Sequence, residues 1–272
     1  MKHIRLFIST CWYSVVDMNE TLTLPGGIDL SYSERGSGRP VLLLHGGAGP
    51  ASVVPFAELA ASRHPLRVIT PVHPGFGGTE RPGSLDSVAG LARVYADLLQ
   101  ALDLEDVTVI GNSIGGWVAA ELAILAPGRV GRYILVDAVG LDVPGHPPVD
   151  FFALTLPEVA DYSYYEPDRF RIDPATMPPE ALAALPGNRA ALATYGGAGM
   201  TDPGLGARLA AVDSPTLVVW GEADRIVDPE VGRALAAAIP GARFTLLEHT
   251  GHVPQVETPE LLLETAWAFT AE

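Results

Sequence analysis

Cysteine is nearly absent from this chain: Cys11 is the only one in 272 residues. An intramolecular disulfide framework is therefore excluded, and the composition fits a reducing compartment. No Cys/His cluster has zinc-ligand spacing, so no metal site is expected. Positive charge is also scarce. Lys and Arg number 17 against 32 Asp and Glu, and the formal net charge of −15 argues against DNA, RNA or an anionic membrane as partners. The acids are scattered and form no acidic tail. Internal repeats and low-complexity tracts are missing as well.

Lys2 and Arg5 precede an apolar stretch, Leu6 to Val16, that is too short to span a bilayer. Ser9, Thr10 and Ser14 interrupt it, and no Ala-x-Ala-like cleavage site follows, which argues against a signal peptide. Ile8-Ser9-Thr10-Cys11 fits a lipobox only loosely, because a threonine stands where a smaller residue is expected. Met18 is an alternative natural start. The expectation is a soluble cytoplasmic protein, and a homo-oligomer is compatible with it.

What is abundant is apolar surface. Apolar residues make up 48% of the chain, enough for a sizeable core in one large α/β domain or two small ones. Ile28 to Glu34 alternates apolar and polar, as an antiparallel strand does. Val41-Leu42-Leu43-Leu44 is a continuous run, the mark of a strand buried on both faces. A Gly-rich turn and a helix over Val54–Ser62 follow, then a strand at Leu66–Thr70. Leu85 to Leu102 carries Leu91, Val94, Leu98 and Leu102 at helical spacing. A strand at Val107–Ile110, a helix from Trp117 to Leu125 and a strand at Tyr133–Val136 come next.

From 138 to 210 the texture changes: prolines and aromatics crowd in, no strand-like run stands out, and the predicted helices are short. The alternation resumes with strands at Thr216–Trp220 and Arg243–Leu247 and helices at Glu230–Ala238 and Pro259–Thr270. This pattern predicts an α/β fold, a mostly parallel sheet flanked by helices. Residues 20–137 and 211–272 would form the core, with 138–210 as a helical insertion.

Gly111-Asn112-Ser113-Ile114-Gly115-Gly116 lies at a strand-to-helix junction. A serine lifted out of a sheet there needs small neighbours, because its backbone is strained and the flanking chain comes close. The helix behind it points free N–H groups at any negative charge forming on that apex. Two later loops offer a base and an acid. Gly221 to Pro229 follows the strand at 216–220, and Glu248 to Pro254 follows the strand at 243–247. Parallel strands put both loops, and Ser113, on one edge of the sheet, where open α/β sheets carry their sites.

These segments resemble those of the α/β-hydrolase family over roughly Leu24 to Ala271. Gly111-Asn112-Ser113-Ile114-Gly115 is similar to its nucleophile elbow, Trp220-Gly221-Glu222-Ala223-Asp224 to its acid loop, and Gly251-His252 to its histidine loop. The order Ser, Asp, His is the family's. The resemblance implies Ser113 as nucleophile, His252 as base and Asp224 as orienting acid. His45, His73 and His249 are rivals for the base; His45 falls where the family keeps a structural histidine. Asp137 rivals Asp224, Asp228 before Pro229 reads as a helix N-cap, and Glu222 as a surface acid. The oxyanion donors implied are the N–H of Ile114 and of Gly47, with Ala48 as runner-up. Gly47-Ala48-Gly49 is not a dinucleotide-binding turn, since position 52 is serine and Thr70 and Pro71 stand where the acid would be.

No cofactor is implied; the partner is a small acyl substrate. A serine nucleophile disfavours dehalogenase and epoxide-hydrolase chemistry. The resemblance implies cleavage of a small-to-medium carboxylic ester or lactone, beneath an insertion acting as a lid lined by Phe and Tyr. The elbow is also similar to that of hydrolases cutting carbon–carbon bonds in ring-fission products. Those relatives carry aromatics beside the histidine, where this chain has Val253, Pro254 and Val256. Arg189 would be either a partner for a substrate carboxylate, as in those enzymes, or a solvated surface residue. Non-catalytic receptors on this fold typically lack a triad residue, and here all three are kept.

Overall fold

A computed structural model describes residues 20–125 and 128–271. Cys11, the apolar stretch from Leu6 to Val16 and Met18 lie outside the described residues. Strands β1 (Glu20–Leu24), β2 (Ile28–Gly36), β3 (Arg39–Leu44) and β4 (Leu66–Pro71) come first, with helix α1 (Val54–Arg63) between the last two. Helix α2 (Val88–Ala101), β5 (Val107–Asn112), α3 (Ile114–Leu125) and β6 (Val130–Val136) follow. The stretch predicted as an insertion holds β7 (Gly140–Leu141), α4 (Leu156–Ser163), α5 (Pro167–Phe170), α6 (Pro179–Gly196), β8 (Thr201–Asp202) and α7 (Leu205–Leu209). The chain closes with β9 (Thr216–Gly221), α8 (Pro229–Ala238), β10 (Arg243–Leu247), α9 (Pro254–Glu257) and α10 (Pro259–Thr270).

Eight strands form one sheet in the order β1-β2-β4-β3-β5-β6-β9-β10. β2 pairs antiparallel with β1 and β4, and every pairing from β4 to β10 is parallel. β3 is buried on both faces, as its unbroken apolar run requires. Leu42 and Leu44 join the cluster that holds Leu91, Tyr95 and Leu98 of α2, while Val41 and Leu43 pack with Phe56 of α1 and Phe269 of α10. α2 turns its apolar stripe to the first cluster. It starts at Val88, three residues later than the spacing predicts, because the Ser87 hydroxyl accepts the Gly90 N–H and caps it there. Asp228 likewise caps α8, accepting from Glu230 N–H with Pro229 in the first turn.

Four features depart from the sequence expectation. β1 closes the antiparallel edge through a tight turn, too short and exposed to announce itself. β7 and β8 are a two-residue parallel pairing inside the stretch where no strand was expected. α6 is 18 residues long and runs through Pro186, although only short helices were predicted there. Proline removes one intrahelical bond, and the buried face of Asn188, Ala191, Leu192 and Tyr195 holds the helix across the gap. α9 is a single short turn after the histidine loop. Among the described residues no helix is long and apolar enough to cross a membrane.

Candidate active site

The parallel pairings bring the ends of β3, β5, β6, β9 and β10 to one edge of the sheet. Ser113 sits between β5 and α3 with φ +56°, a left-handed conformation costly for a residue with a Cβ. The turn is held by Ser113 N–H donating to Val136 O (2.9 Å) and by Trp117 N–H donating back to Ser113 O (3.1 Å). Its glycines are required by close approach. A Cβ on Gly111 would lie 2.1 Å from Gly115 O, and one on Gly115 would lie 2.5 Å from Leu44 O and 2.6 Å from His45 O. All three obstacles are backbone and cannot swing aside.

Ser113 Oγ lies 3.0 Å from His252 Nε2, and His252 Nδ1 lies 2.8 Å from Asp224 Oδ2. All three residues are buried. Asp224 Oδ1 accepts the N–H groups of Ile226 (2.8 Å) and Val227 (3.0 Å), which locks the carboxylate plane. A carboxylate only accepts, so Nδ1 carries the imidazole proton and Nε2 is left to accept from the serine hydroxyl. The loop ahead of α9 is anchored by His252 N–H to Ser163 O at 2.7 Å, tying it to the end of α4.

The rival residues fall elsewhere. His45 is fully buried, donating Nδ1–H to Gly46 O (2.8 Å) and accepting His73 N–H (3.1 Å) at Nε2. Burial pulls its pKa down to about 4, and burial beside His45 takes that of His73 well below the ordinary histidine value. His73 donates Nε2–H to His45 O (2.8 Å) and accepts from the Tyr95 hydroxyl at Nδ1. Both rings are neutral struts, and among the described residues neither hydrogen-bonds to Ser113. His249 is exposed; its backbone N–H meets Glu222 Oε2 at 3.2 Å. Asp137, after β6, is buried but reaches Gly221 N–H (2.8 Å) and not the imidazole.

The two N–H groups expected to face an oxyanion have no acceptor among the described residues: Ile114 opens α3, and Gly47 lies in the loop after β3. Ala48 N–H is equally unspent. Gly47 and Ser113 share a cavity of about 560 Å³. Its walls are apolar, with Val149, Phe151, Leu185 and Met200 among them. Arg189 stands in this wall. It is half-buried, its Nη2 donates to the carbonyls of Phe151 (3.2 Å), Phe152 and Leu154 (3.4 Å), and its guanidinium lies over both phenylalanine rings. It is therefore not a solvated surface arginine.

Two supporting residues were not predicted. Asn112 Nδ2 donates to His252 O at 2.9 Å, and Asn112 Oδ1 accepts from Gln255 Nε2 at 3.0 Å. They stitch the serine turn to the histidine loop. A glutamine among Val253, Pro254 and Val256 was the available signal, a polar residue in an otherwise apolar run.

A mostly parallel sheet, a glycine-clamped serine turn and an acid–histidine–serine chain at its strand ends define a hydrolase of the α/β type. The chain belongs to the alpha/beta hydrolase family, whose model matches residues 41–265. It is 32% identical over 276 residues to 2-hydroxymuconate semialdehyde hydrolase of Pseudomonas putida, covering 92% of this chain and 93% of that one. It is also 31% identical over 277 residues to Lipase 1 of Psychrobacter immobilis, covering 92% and 83%. Among solved structures, the meta-cleavage product hydrolase from Pseudomonas fluorescens IP01 superposes with a TM-score of 0.77 at 22% identity, covering 93% of this chain and 97% of that one. This last likeness is one of fold.

Proposed function

We propose that this enzyme is a serine hydrolase that cleaves a small-to-medium carboxylic ester or lactone through an acyl-enzyme. The observation that carries the reading is the continuous contact from Asp224 through His252 to Ser113, opening on an apolar cavity. In the first step His252 Nε2 takes the Ser113 hydroxyl proton as Oγ attacks the substrate carbonyl. The oxyanion is held by the Ile114 and Gly47 N–H groups. Collapse expels the alcohol, which takes the proton back from His252. Water, deprotonated by the same nitrogen, then attacks the acyl-enzyme and frees the acid and Ser113. Asp224 stabilises the imidazolium formed in each half. Residues 138–210 act as a lid over the serine, with Phe151, Tyr164 and Phe170 among the residues lining the pocket.

A second reading, carbon–carbon hydrolysis of a ring-fission diketone, is supported by the Pseudomonas putida relative and by Arg189. That side chain lines the cavity, and among the described residues only Nη2 is hydrogen-bonded, which leaves Nη1 and Nε for a carboxylate. Val253 and Val256, where such enzymes carry aromatics, favour the ester.

Fluorophosphonate labelling of the wild type, Ser113→Ala and His252→Ala tests the first point. Labelling is expected in the wild type only; a folded wild type that does not label removes the serine-hydrolase reading. A panel of p-nitrophenyl esters against a vinylogous diketone tests the second. Faster turnover of the diketone, together with a KM for it that rises about tenfold or more in Arg189→Ala while ester KM holds, would establish the second reading.

A further inference from the structure

Asp137 is a buried titratable group that the reaction above leaves unused. It follows β6 with φ +46° and is held to β9 on both sides, its N–H donating to Val219 O (2.9 Å) and its Oδ1 accepting Gly221 N–H (2.8 Å). Its Oδ2 is buried and has no donor among the described residues. One carboxylate oxygen of Asp137, one of Asp224 and a ring nitrogen of His252 lie within 4.8 Å of one another. That spacing brings the Asp137 and Asp224 carboxyl groups close enough to repel as two charges.

Donor counting separates the pair. Asp224 receives three N–H donors, from Ile226, Val227 and His252, and is the ionised member. Asp137 receives one. Two buried carboxylates this close repel when both are charged, and a proton on one of them relieves the repulsion. The titratable groups facing Asp137 are Asp224 after β9, His252 after β10 and Glu257 of α9; Glu257, an acid, adds to the repulsion. An oxygen without a donor, in a carboxyl group this near a carboxylate that only accepts, is the place for a proton.

We propose that Asp137 is a positioning residue: a neutral carboxylic acid that donates its Oδ2 proton to Asp224 and so holds the triad acid in line with His252. Burial first, and the Asp224 charge second, raise its pKa well above the ordinary carboxylate value. The positioning role rests on the triad assignment of the preceding section, but the protonation of Asp137 does not.

Infrared spectroscopy of the wild type at pH 7 should show a protonated-carboxyl C=O band that disappears in Asp137→Asn. Kinetics on a p-nitrophenyl ester supply the second arm. Asp137→Ala should lower kcat about tenfold or more with KM nearly unchanged, and Asp137→Asn, which keeps both a donor and an acceptor, should restore it to within about threefold. The acid limb of kcat/KM should move by less than about 0.3 pH unit in Asp137→Asn, because one neutral group replaces another. Absence of the band overturns the proposal. So does a fall of about one unit or more in the acid limb, the mark of a lost negative charge beside His252. Wild-type kcat in Asp137→Ala overturns the positioning role, and if that variant does not fold, the wild-type and Asp137→Asn spectra and pH profiles carry the test. Failure of the wild type to label with fluorophosphonate would remove the triad reading and leave the infrared band to decide the protonation of Asp137.

Discussion

Replacing Asp224 with asparagine is the sharpest test of the site, because the hydrogen bonds around it dictate how the amide must lie. Oδ1 accepts two backbone N–H groups, at 2.8 and 3.0 Å, so the asparagine carbonyl is fixed on that side. Its NH2 then faces His252 Nδ1, where Asp224 Oδ2 stands at 2.8 Å. Two donors cannot share a bond, so Nδ1 must give up its proton and the imidazole takes the opposite tautomer. Nε2, 3.0 Å from Ser113 Oγ, then carries a hydrogen and cannot accept one. The ring also loses the negative charge that stabilises imidazolium. Changes of this type in serine triads lower kcat about 10⁴-fold, or roughly 5 kcal/mol of transition-state stabilisation. The assay is kcat on a p-nitrophenyl ester from about pH 6 to about pH 9, a range that starts near the ordinary histidine value, with circular dichroism to show that the fold is kept. Retention of more than about a tenth of wild-type kcat would refute the reasoning and move the acid to Asp137.

Two further outcomes follow from the same geometry. Gly115→Ala drives a Cβ to 2.5 Å from Leu44 O, so α3 must shift away from β3. A loss of about 1–3 kcal/mol in urea unfolding and at least about tenfold in kcat is expected, and unchanged stability would contradict the close approach. Acid should destabilise the fold through its buried histidines. The His45 pKa is depressed to about 4, so below its ordinary 6.5 the unfolded chain binds a proton that the native ring refuses. Stability contributed above 6.5 is therefore lost as pH falls toward 4, about 1.4 kcal/mol per pH unit and about 3 kcal/mol across the window. Urea titrations should show a shallower pH slope in His45→Asn; an identical slope would mean that His45 is not neutral when folded.

The legible parts of this protein are those written locally. The unbroken run Val41–Leu44 announces a doubly buried strand, and Asp228-Pro229 announces a helix start, because each signal is read within a few residues. The elbow belongs to the same class: its glycines answer a steric demand made by the turn itself. The full length of α6 is hidden in the sequence because Pro186 is a strong local stop, overridden by a buried face that forms only when the helix packs. Gln255 and Asn112 escaped because a polar side chain gains its role from a partner, here one 143 positions away in the chain. The sequence leaves Arg189 either exposed or substrate-bound, since nothing nearby in the chain shows three carbonyls converging on its guanidinium.

By itself the sequence determined the class of fold, the serine at its strand-to-helix turn and the order in which acid and histidine follow. Periodicity and turn chemistry are short-range, so they survive translation into a string of letters. Only the tertiary structure decided that Ser113 and His252, 139 positions apart, meet at 3.0 Å. It alone put Asp137 against Asp224 and left His45 and His73 as neutral struts. Those outcomes depend on parallel strands converging at one edge and on water being excluded there. Burial and proximity, which bring these groups together, are properties of the closed fold.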